Sequence, residues 1–479
     1  MKSAVYYSVA GNITKNITII IIWIFGGGFM RDYNGKRVLV LGLARSGLAA
    51  VRLLVKLGAS VTVSESKKPE EIKELDELLS MGVRVLGQDK EVFEENYDIA
   101  IKNPGINGRL WFVRRLKERN IPVITEIELA FTVSAPQHYI AVTGSNGKTT
   151  VSTLLYEVIS KAHPDKTHLS GNIGVALCDT VLQNDLLNES GHYIVLEISN
   201  FQLVDIDKFR PEVAVIINLA ADHLDFMGTE DAYYRSKCRV YENMSGDDVF
   251  LSNIDDPLVG EYTALLPVKC RKITYSLENS KADFYADNEF IYAYGKKLFP
   301  ISSVKVVGRH NVQNVLVACA AASAEGLSAE QIKNGVEQFK GVEHRIEFVR
   351  EYNGVRYYND SKGTNVDATK TALKAFSSPV ILLAGGHEKG LSLEPLKECM
   401  SGVKKIIAYG ECGKRICDEL AEEKGELVKT LPEALQKAVA SAVPGDVVLL
   451  SPTTSSYDQY TCFEERGEHF KKLVNALGE

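Results

Sequence analysis

Thr143-Gly144-Ser145-Asn146-Gly147-Lys148-Thr149-Thr150, reading TGSNGKTT, follows the apolar run 139–142 and precedes a helical pattern. A strand, a glycine-bearing turn and a helix start in that order form an anion site. Gly144 and Gly147 permit backbone conformations that other residues resist, so amide N–H groups can converge on a phosphate. The helix N-terminus adds a favourable partial charge. Lys148 is placed to reach the terminal phosphates, and Thr149 offers a hydroxyl to Mg²⁺. The spacing departs from GxxxxGK[ST], because Val142 stands where the first glycine would be. Residues 144–150 (Gly144, Ser145, Asn146, Gly147, Lys148, Thr149 and Thr150) are therefore expected to bind ATP.

Magnesium beside the phosphates needs further donors. Glu197 closes the apolar run 193–198, and His223 follows the run 213–218 in Ala221-Asp222-His223. In an open parallel sheet both lie at the carboxyl edge, where ligands bind. Both are expected metal ligands. A nicotinamide-linked oxidoreductase would use the first glycine-bearing turn, Gly42 to Gly47, but would leave TGSNGKTT without a role. A regulatory or transport ATPase would leave the rest of the chain without one.

Outward from the loop, the chain from Met30 reads as three α/β units. Strands are expected at 37–41, 60–63, 99–102 and 123–124 in the first. The second has strands at 139–142, 194–198 and 213–218 and an alanine-rich helix at 311–324. The third has strands at 380–384, 405–409 and 446–451. Breaker clusters at Ser134-Ala135-Pro136 and Phe339-Lys340-Gly341 set the boundaries at 30–134, 135–339 and 340–479. Short apolar runs alternating with helical patterns predict parallel sheets covered by helices. The fold class is α/β in three domains: Rossmann-like, a mostly parallel P-loop domain, and Rossmann-like again.

The 479 residues carry 55 basic and 62 acidic side chains, a formal charge of −7, which argues against a general grip on nucleic acid. The eight cysteines form no CxxC pair and read as thiols of a reducing cytoplasm. Residues 1–29 contain no acidic residue, and the apolar run 17–25 is too short to span a bilayer, which needs ~20 residues. Three glycines stand just before Met30. Glycine codons begin with GG, so residues 1–29 read as a mis-called extension containing a translated ribosome-binding site.

The ordered series TGSNGKTT, GNIG (171–174), EISNFQL (197–203), DH (222–223), GRHNVQN (308–314), HR (344–345) and NDSKGTN (359–365) resembles the Mur ligase family of peptidoglycan synthesis. Within it, VLVLGLARSG (38–47), NDSKGTNVDAT (359–369) and SPTTSSYDQYTCFEERGEHF (451–470) are similar to the D-glutamate-adding members. The resemblance implies a cytoplasmic, monomeric ligase. Its substrates would be ATP, UDP-N-acetylmuramoyl-L-alanine and D-glutamate, with two Mg²⁺ and no nucleic acid or stable membrane insertion.

It further implies roles for individual residues. Lys148, Glu197, His223, Lys237, His344 and Arg345 would be catalytic. Thr149, Glu197, His223 and Lys237, the last as a carbamate, would hold the metal. Asn311, Asn314, Arg345, Asp360 and Lys362 would contact ATP. Arg45, Ser46, Glu65, Asn103, Gly105 and Asn172 would hold the nucleotide sugar. Lys362, Thr364, Lys389, Ser456 and Phe463 would hold D-glutamate. The residues agree in part. Gly42 to Gly47 is a strand–turn–helix anion site and Glu65 ends the next strand, but Ala44 stands at the middle glycine of GxGxxG.

Overall fold

The computed structural model describes residues 31–220, 224–390, 392–421 and 424–478. The extension read at 1–29 and the proposed ligand His223 lie outside the described residues. The chain divides into two compact units. The first takes the described residues up to Gly144, then Lys166–Phe250 and Glu261–Arg271; the second takes Ser145–Asp165, Leu251–Gly260 and everything described from Lys272 onward.

The first unit opens with a five-stranded parallel sheet: β1 (Arg37–Leu41), β2 (Ser60–Ser64), β3 (Arg84–Leu86), β4 (Ile99–Lys102) and β5 (Val123–Thr125), in the order β3-β2-β1-β4-β5. The strand order reverses at β1, so the turns leaving β1 and β4 flank a crevice at the carboxyl edge. The helix Arg45–Lys56 buries Ala49, Ala50, Leu53 and Leu54, a helical stripe of small and branched residues.

The same unit contains β6 (His138–Thr143), β7 (Thr167–Gly171), β8 (Tyr193–Glu197), β9 (Val213–Ile216) and, up to Phe250, β10 (Gly246–Asn253), ordered β10-β9-β6-β8-β7. Here β6 is the switch point, paired in parallel with β8 on one side and β9 on the other. Register sets Val142 and Gly171 opposite Glu197. The phosphate loop and the expected metal carboxylate therefore leave neighbouring strands at the same edge.

In the second unit β11 (Cys270–Ser276, from Lys272 on), β12 (Phe284–Ala286), β13 (Phe290–Ala293) and β14 (Lys296–Pro300) follow one another, the last three as an antiparallel meander. A further sheet holds β15 (Glu347–Tyr352), β16 (Val355–Asn359), β17 (Val380–Gly385), β18 (Val403–Tyr409), β19 (Gly425–Leu427) and β20 (Val447–Leu450), ordered β15-β16-β20-β17-β18-β19. Only the edge strand β15 is antiparallel. Alternate residues of β17 and β20 enter opposite cores: Leu382, Ala384, Val447 and Leu449 on one face, Ile381, Leu383, Val448 and Leu450 on the other. That double burial accounts for their unbroken apolar runs.

Three expectations need correction. The strand expected at 213–218 ends at Ile216, although Ile217 still donates its N–H to the Thr143 carbonyl at 2.9 Å. The alanine-rich helix starts at Arg309, two residues before 311, since Gly308 at φ +97° breaks the preceding chain. The meander β12–β14 and the edge strand β15 interrupt the strand–helix alternation. Among the described residues no helix is long and apolar enough to cross a membrane, and all eight cysteines are free thiols.

Candidate active site

The phosphate loop has the backbone its glycines were expected to supply. Gly144 sits at φ +150° and Gly147 at φ +86°, and the helix Lys148–Ala162 begins directly after. A Cβ on Gly144 would press at 3.1–3.3 Å on Ile217 and the Asn218 amide, so the strand end has no room for a side chain. Lys148 Nζ donates to the Ser145 carbonyl at 2.9 Å, which folds it over its own loop. Thr150 is buried; Thr149 is half-buried in the first turn.

Glu197 is 1% exposed. Its Oε1 accepts from Asn172 Nδ2 at 2.9 Å. Its Oε2 is buried and accepts no hydrogen bond among the described residues. An unpaired buried carboxylate oxygen is costly, and a hard cation is the partner that offsets it. The donor set fits Mg²⁺ in that respect. Lys237 is equally buried on the helix Glu230–Cys238; its Nζ donates to the Gly144 carbonyl at 2.8 Å and lies 4.6 Å from the Tyr233 ring centroid.

At the β1 switch point, Gly42 lies at φ +80°, and a Cβ on Gly47 would collide with the Gly42 carbonyl. Ala44 lies outside that squeeze in an extended conformation and exposed, so the missing middle glycine costs nothing there. Glu65 engages both carboxylate oxygens in the turn. Oε2 accepts the Leu43 N–H at 2.7 Å, while Oε1 accepts Ser66 N–H and Oγ and Lys67 N–H at 2.7–3.1 Å. Burial pushes this carboxyl up, but the donors outweigh it and hold Glu65 below the ordinary glutamate value. Glu65 thus fixes the turn from behind.

Asn103 Oδ1 accepts the Gly105 N–H at 3.2 Å, and its buried Nδ2 has no acceptor among the described residues. Ser46 is half-buried in the first helical turn. Arg45, expected to meet a pyrophosphate, instead donates to the carbonyls of Gly171, Asn172 and Gly174 at 2.8–3.0 Å.

In the second unit, Asn311 Nδ2 reaches back to the Val307 carbonyl at 2.7 Å, and Asn314 Nδ2 donates to Asn311 Oδ1 at 3.0 Å. Both are buried in the first turns of their helix, and neither caps it. Arg345 carries a buried Nε with no acceptor among the described residues. Asp360 accepts from Ser451 Oγ at 2.7 Å and Ile346 N–H at 3.2 Å. Burial pushes its carboxyl up to about 7 despite the Ser451 hydrogen bond and the Arg345 charge.

His344 is buried. Asn359 Nδ2 donates to its Nδ1 at 2.9 Å and to Glu347 Oε2 at 3.0 Å. Nδ1 is therefore the acceptor, and Nε2 lies 3.8 Å from Glu468 Oε1. Glu343, His344 and Glu468 converge as metal ligands would, but Lys471 already binds Glu343, Glu347 and Glu468 there. Lys471 thus supplies the cation that offsets part of the cluster's negative charge.

The residues expected at D-glutamate lie on one set of loops. Lys362 Nζ is 5.6 Å from the Phe463 ring centroid, and Lys389 Nζ donates to the Thr364 carbonyl at 3.2 Å. Ser456 is buried at the start of a turn that accepts Tyr460 N–H. Burial, then the charge of Arg466, holds Lys389 below the ordinary lysine value. Lys389 also lines a cleft of about 220 Å³ with Leu393, Cys412, Arg415, Ile416, Thr453 and Thr454.

Sequence reading passed over Arg466, which is 0% exposed. The signal was available: Phe463, Arg466, Phe470 and Val474 recur at helical spacing, so an arginine stands on an apolar stripe. It also passed over the link from Arg45 through Asn172 to Glu197.

A glycine-bearing turn between β6 and a helix start, and a buried carboxylate with an open oxygen at the end of β8, belong in a chain of parallel-rich sheets to an α/β enzyme that uses a nucleoside triphosphate. The chain belongs to the Mur ligase family, whose members use ATP. Residues 142–322 match the Mur ligase middle domain and residues 344–454 the Mur ligase, glutamate ligase domain. It is 40% identical over 455 residues to the UDP-N-acetylmuramoylalanine–D-glutamate ligase of Geobacillus kaustophilus, covering 93% of this chain and 99% of that one. The enzyme of the same name from Latilactobacillus sakei is 39% identical over 456 residues, with the same coverage.

Solved structures share the fold at lower identity. UDP-N-acetylmuramate-alanine ligase MurC from Thermotoga maritima has a TM-score of 0.56 at 17% identity, covering 92% of this chain and 99% of that one. MurF ligase from the same organism, in complex with ADP, has a TM-score of 0.56 at 18% identity, covering 93% and 96%.

Proposed function

We propose that this chain is an ATP-dependent ligase that joins D-glutamate to UDP-N-acetylmuramoyl-L-alanine in peptidoglycan precursor synthesis. The observation that carries it is near full-length similarity to enzymes of that name, together with a glutamate ligase domain match over 344–454. The chain acts as a monomer in the cytoplasm, in three domains at 30–134, 135–339 and 340–479.

A carboxylate is a poor electrophile. Transfer of the γ-phosphoryl group to the L-alanine carboxylate gives an acyl phosphate; the D-glutamate amine attacks its carbonyl carbon, the C–N bond forms and phosphate leaves. Residues 144–150 cradle the triphosphate, and Lys148 swings from Ser145 onto its terminal oxygens. Asn311 and Asn314 hold the adenine, with Arg345, Asp360 and Lys362 around the nucleotide. The turn 42–47, with Arg45, Ser46, Glu65, Asn103 and Gly105, holds the nucleotide sugar, and Asn172 lies near its reacting end. Lys362, Thr364, Lys389, Ser456 and Phe463 hold D-glutamate.

Thr149, Glu197 and His223 would hold Mg²⁺, with Lys237 contributing as a carbamate; bound there, the cation would supply positive charge against the phosphate and carboxylate anions. An ammonium cannot ligate a cation, whereas its CO₂ adduct is an oxygen-donor anion; the buried Nζ of Lys237 against Gly144 O supports that reading. His344 acts through its neighbours, and Arg345 presents its charge to the reacting groups. Preorganised charge and positioning supply the catalysis. The direct test is phosphate release that requires UDP-N-acetylmuramoyl-L-alanine and D-glutamate together.

A further inference from the structure

Three loops of the second unit carry the residues assigned above to D-glutamate: 359–364 with Lys362 and Thr364, 385–390 with Lys389, and 451–456 with Ser456. All three converge on one guanidinium. Arg466, on the helix Phe463–Asn475, donates from Nε to Ser361 Oγ at 3.0 Å, and from Nη2 to the Ser361 and Thr454 carbonyls at 2.9 and 3.2 Å. Its Nη1 lies 3.5 Å from the Gly385 carbonyl. Ser361 Oγ in turn donates to the Phe463 carbonyl at 2.7 Å. The packing has no slack: a Cβ on Gly386 would collide with the Ser455 carbonyl and come within 3.0 Å of Arg466 Nη1.

Arginine stays protonated in proteins. Among the described residues no carboxylate lies within ion-pair distance of Arg466; its acceptors are carbonyls and one hydroxyl. The nearby Asp360 is itself buried. A tie between loops needs donors but not a whole uncompensated charge, and burying such a charge is costly.

We propose that Arg466 is a positioning residue for D-glutamate. It sets the three loops in one geometry, and its buried charge, together with the positive charges of Lys362 and Lys389, makes the site select a dicarboxylate over a neutral amino acid. This rests on the D-glutamate reading, and a wild-type chain that does not use D-glutamate defeats that reading before any variant is made.

The test compares Arg466→Lys, Arg466→Gln and Ser361→Ala with wild type, measuring phosphate release against D-glutamate, D-glutamine, ATP and UDP-N-acetylmuramoyl-L-alanine. Arg466→Lys keeps the charge but cannot span three loops; its KM for D-glutamate should rise about 10-fold, with the other two KM values within about 2-fold. Arg466→Gln should also lower the kcat/KM ratio of D-glutamate to D-glutamine by about 10-fold, which a merely structural role would leave unchanged. An unchanged D-glutamate KM in Arg466→Lys, or an unchanged ratio in Arg466→Gln, overturns the proposal. Should thermal melting show that neither variant folds, Ser361→Ala decides. A rise of about 3-fold in the D-glutamate KM alone supports the proposal, and no change overturns it.

Discussion

Asn172 grips Glu197 twice: its Nδ2 donates to Oε1 and its backbone N–H to the Glu197 carbonyl, both at 2.9 Å. Arg45 holds the Asn172 carbonyl at 3.0 Å. The turn leaving β1 is thereby joined, through one loop, to the carboxylate whose second oxygen is open. Groups that orient a metal ligand affect metal affinity and activity by about 10–100-fold. Asn172→Ala should require about 10-fold more Mg²⁺ for half-maximal activity. An unchanged Mg²⁺ titration would contradict a metal at Glu197.

Lys237 is buried against the Gly144 carbonyl, where a carbamate would present oxygens at the loop. Lys237→Ala should lose activity by about 100-fold or more, and short-chain carboxylates added to the assay should restore part of it. A folded variant that no carboxylate rescues counts against the carbamate.

Lys148 is the cation of the phosphate loop, where its Nζ donates to the Ser145 carbonyl at 2.9 Å. Lys148→Ala should leave UDP-N-acetylmuramoyl-L-alanine binding within about 2-fold and abolish ADP release. Calorimetry of nucleotide-sugar binding and an ADP assay separate the two; ADP formed at the normal rate would refute the assignment.

Asp360 gives a pH signature. Its folded-state value of about 7 stands above the ordinary aspartate value near 4. A raised value favours the protonated folded state. That stability is therefore fully present below about pH 4 and is lost as pH rises through about 7. Asp360→Asn is neutral throughout, so its melting temperature should gain on the wild type across that window, at about 2–4 °C per kcal/mol. A difference that stays constant from pH 4 to pH 8 would contradict the buried, protonated carboxyl.

The parallel strands were legible because their apolar runs are short, branched and bounded by breakers, and β1, β4 and the phosphate loop stand where those signals put them. The meander β12–β14 was not: Phe284, Tyr285, Phe290 and Tyr292 alternate with polar residues over strands of only three or four residues, too short for a period to emerge. Residue type singled out Glu197 and Lys148 as candidates, but the direction of a side chain was invisible. Glu65 and Arg45 have the chemistry of ligand contacts, yet they spend their hydrogen bonds on backbone groups of adjacent loops. Arg466 was hidden differently: arginine is ordinarily a surface residue, and only the apolar stripe it interrupts marks it as buried.

The central claim is tested most directly by supplying the purified chain with ATP, Mg²⁺ and UDP-N-acetylmuramoyl-L-alanine, adding a panel of amino acids one at a time, and measuring phosphate release together with the mass of the product. Phosphate should appear with D-glutamate, one per amide formed, and not when either acceptor or amino acid is omitted. Preference for another amino acid, or phosphate release that needs neither substrate, would contradict the account.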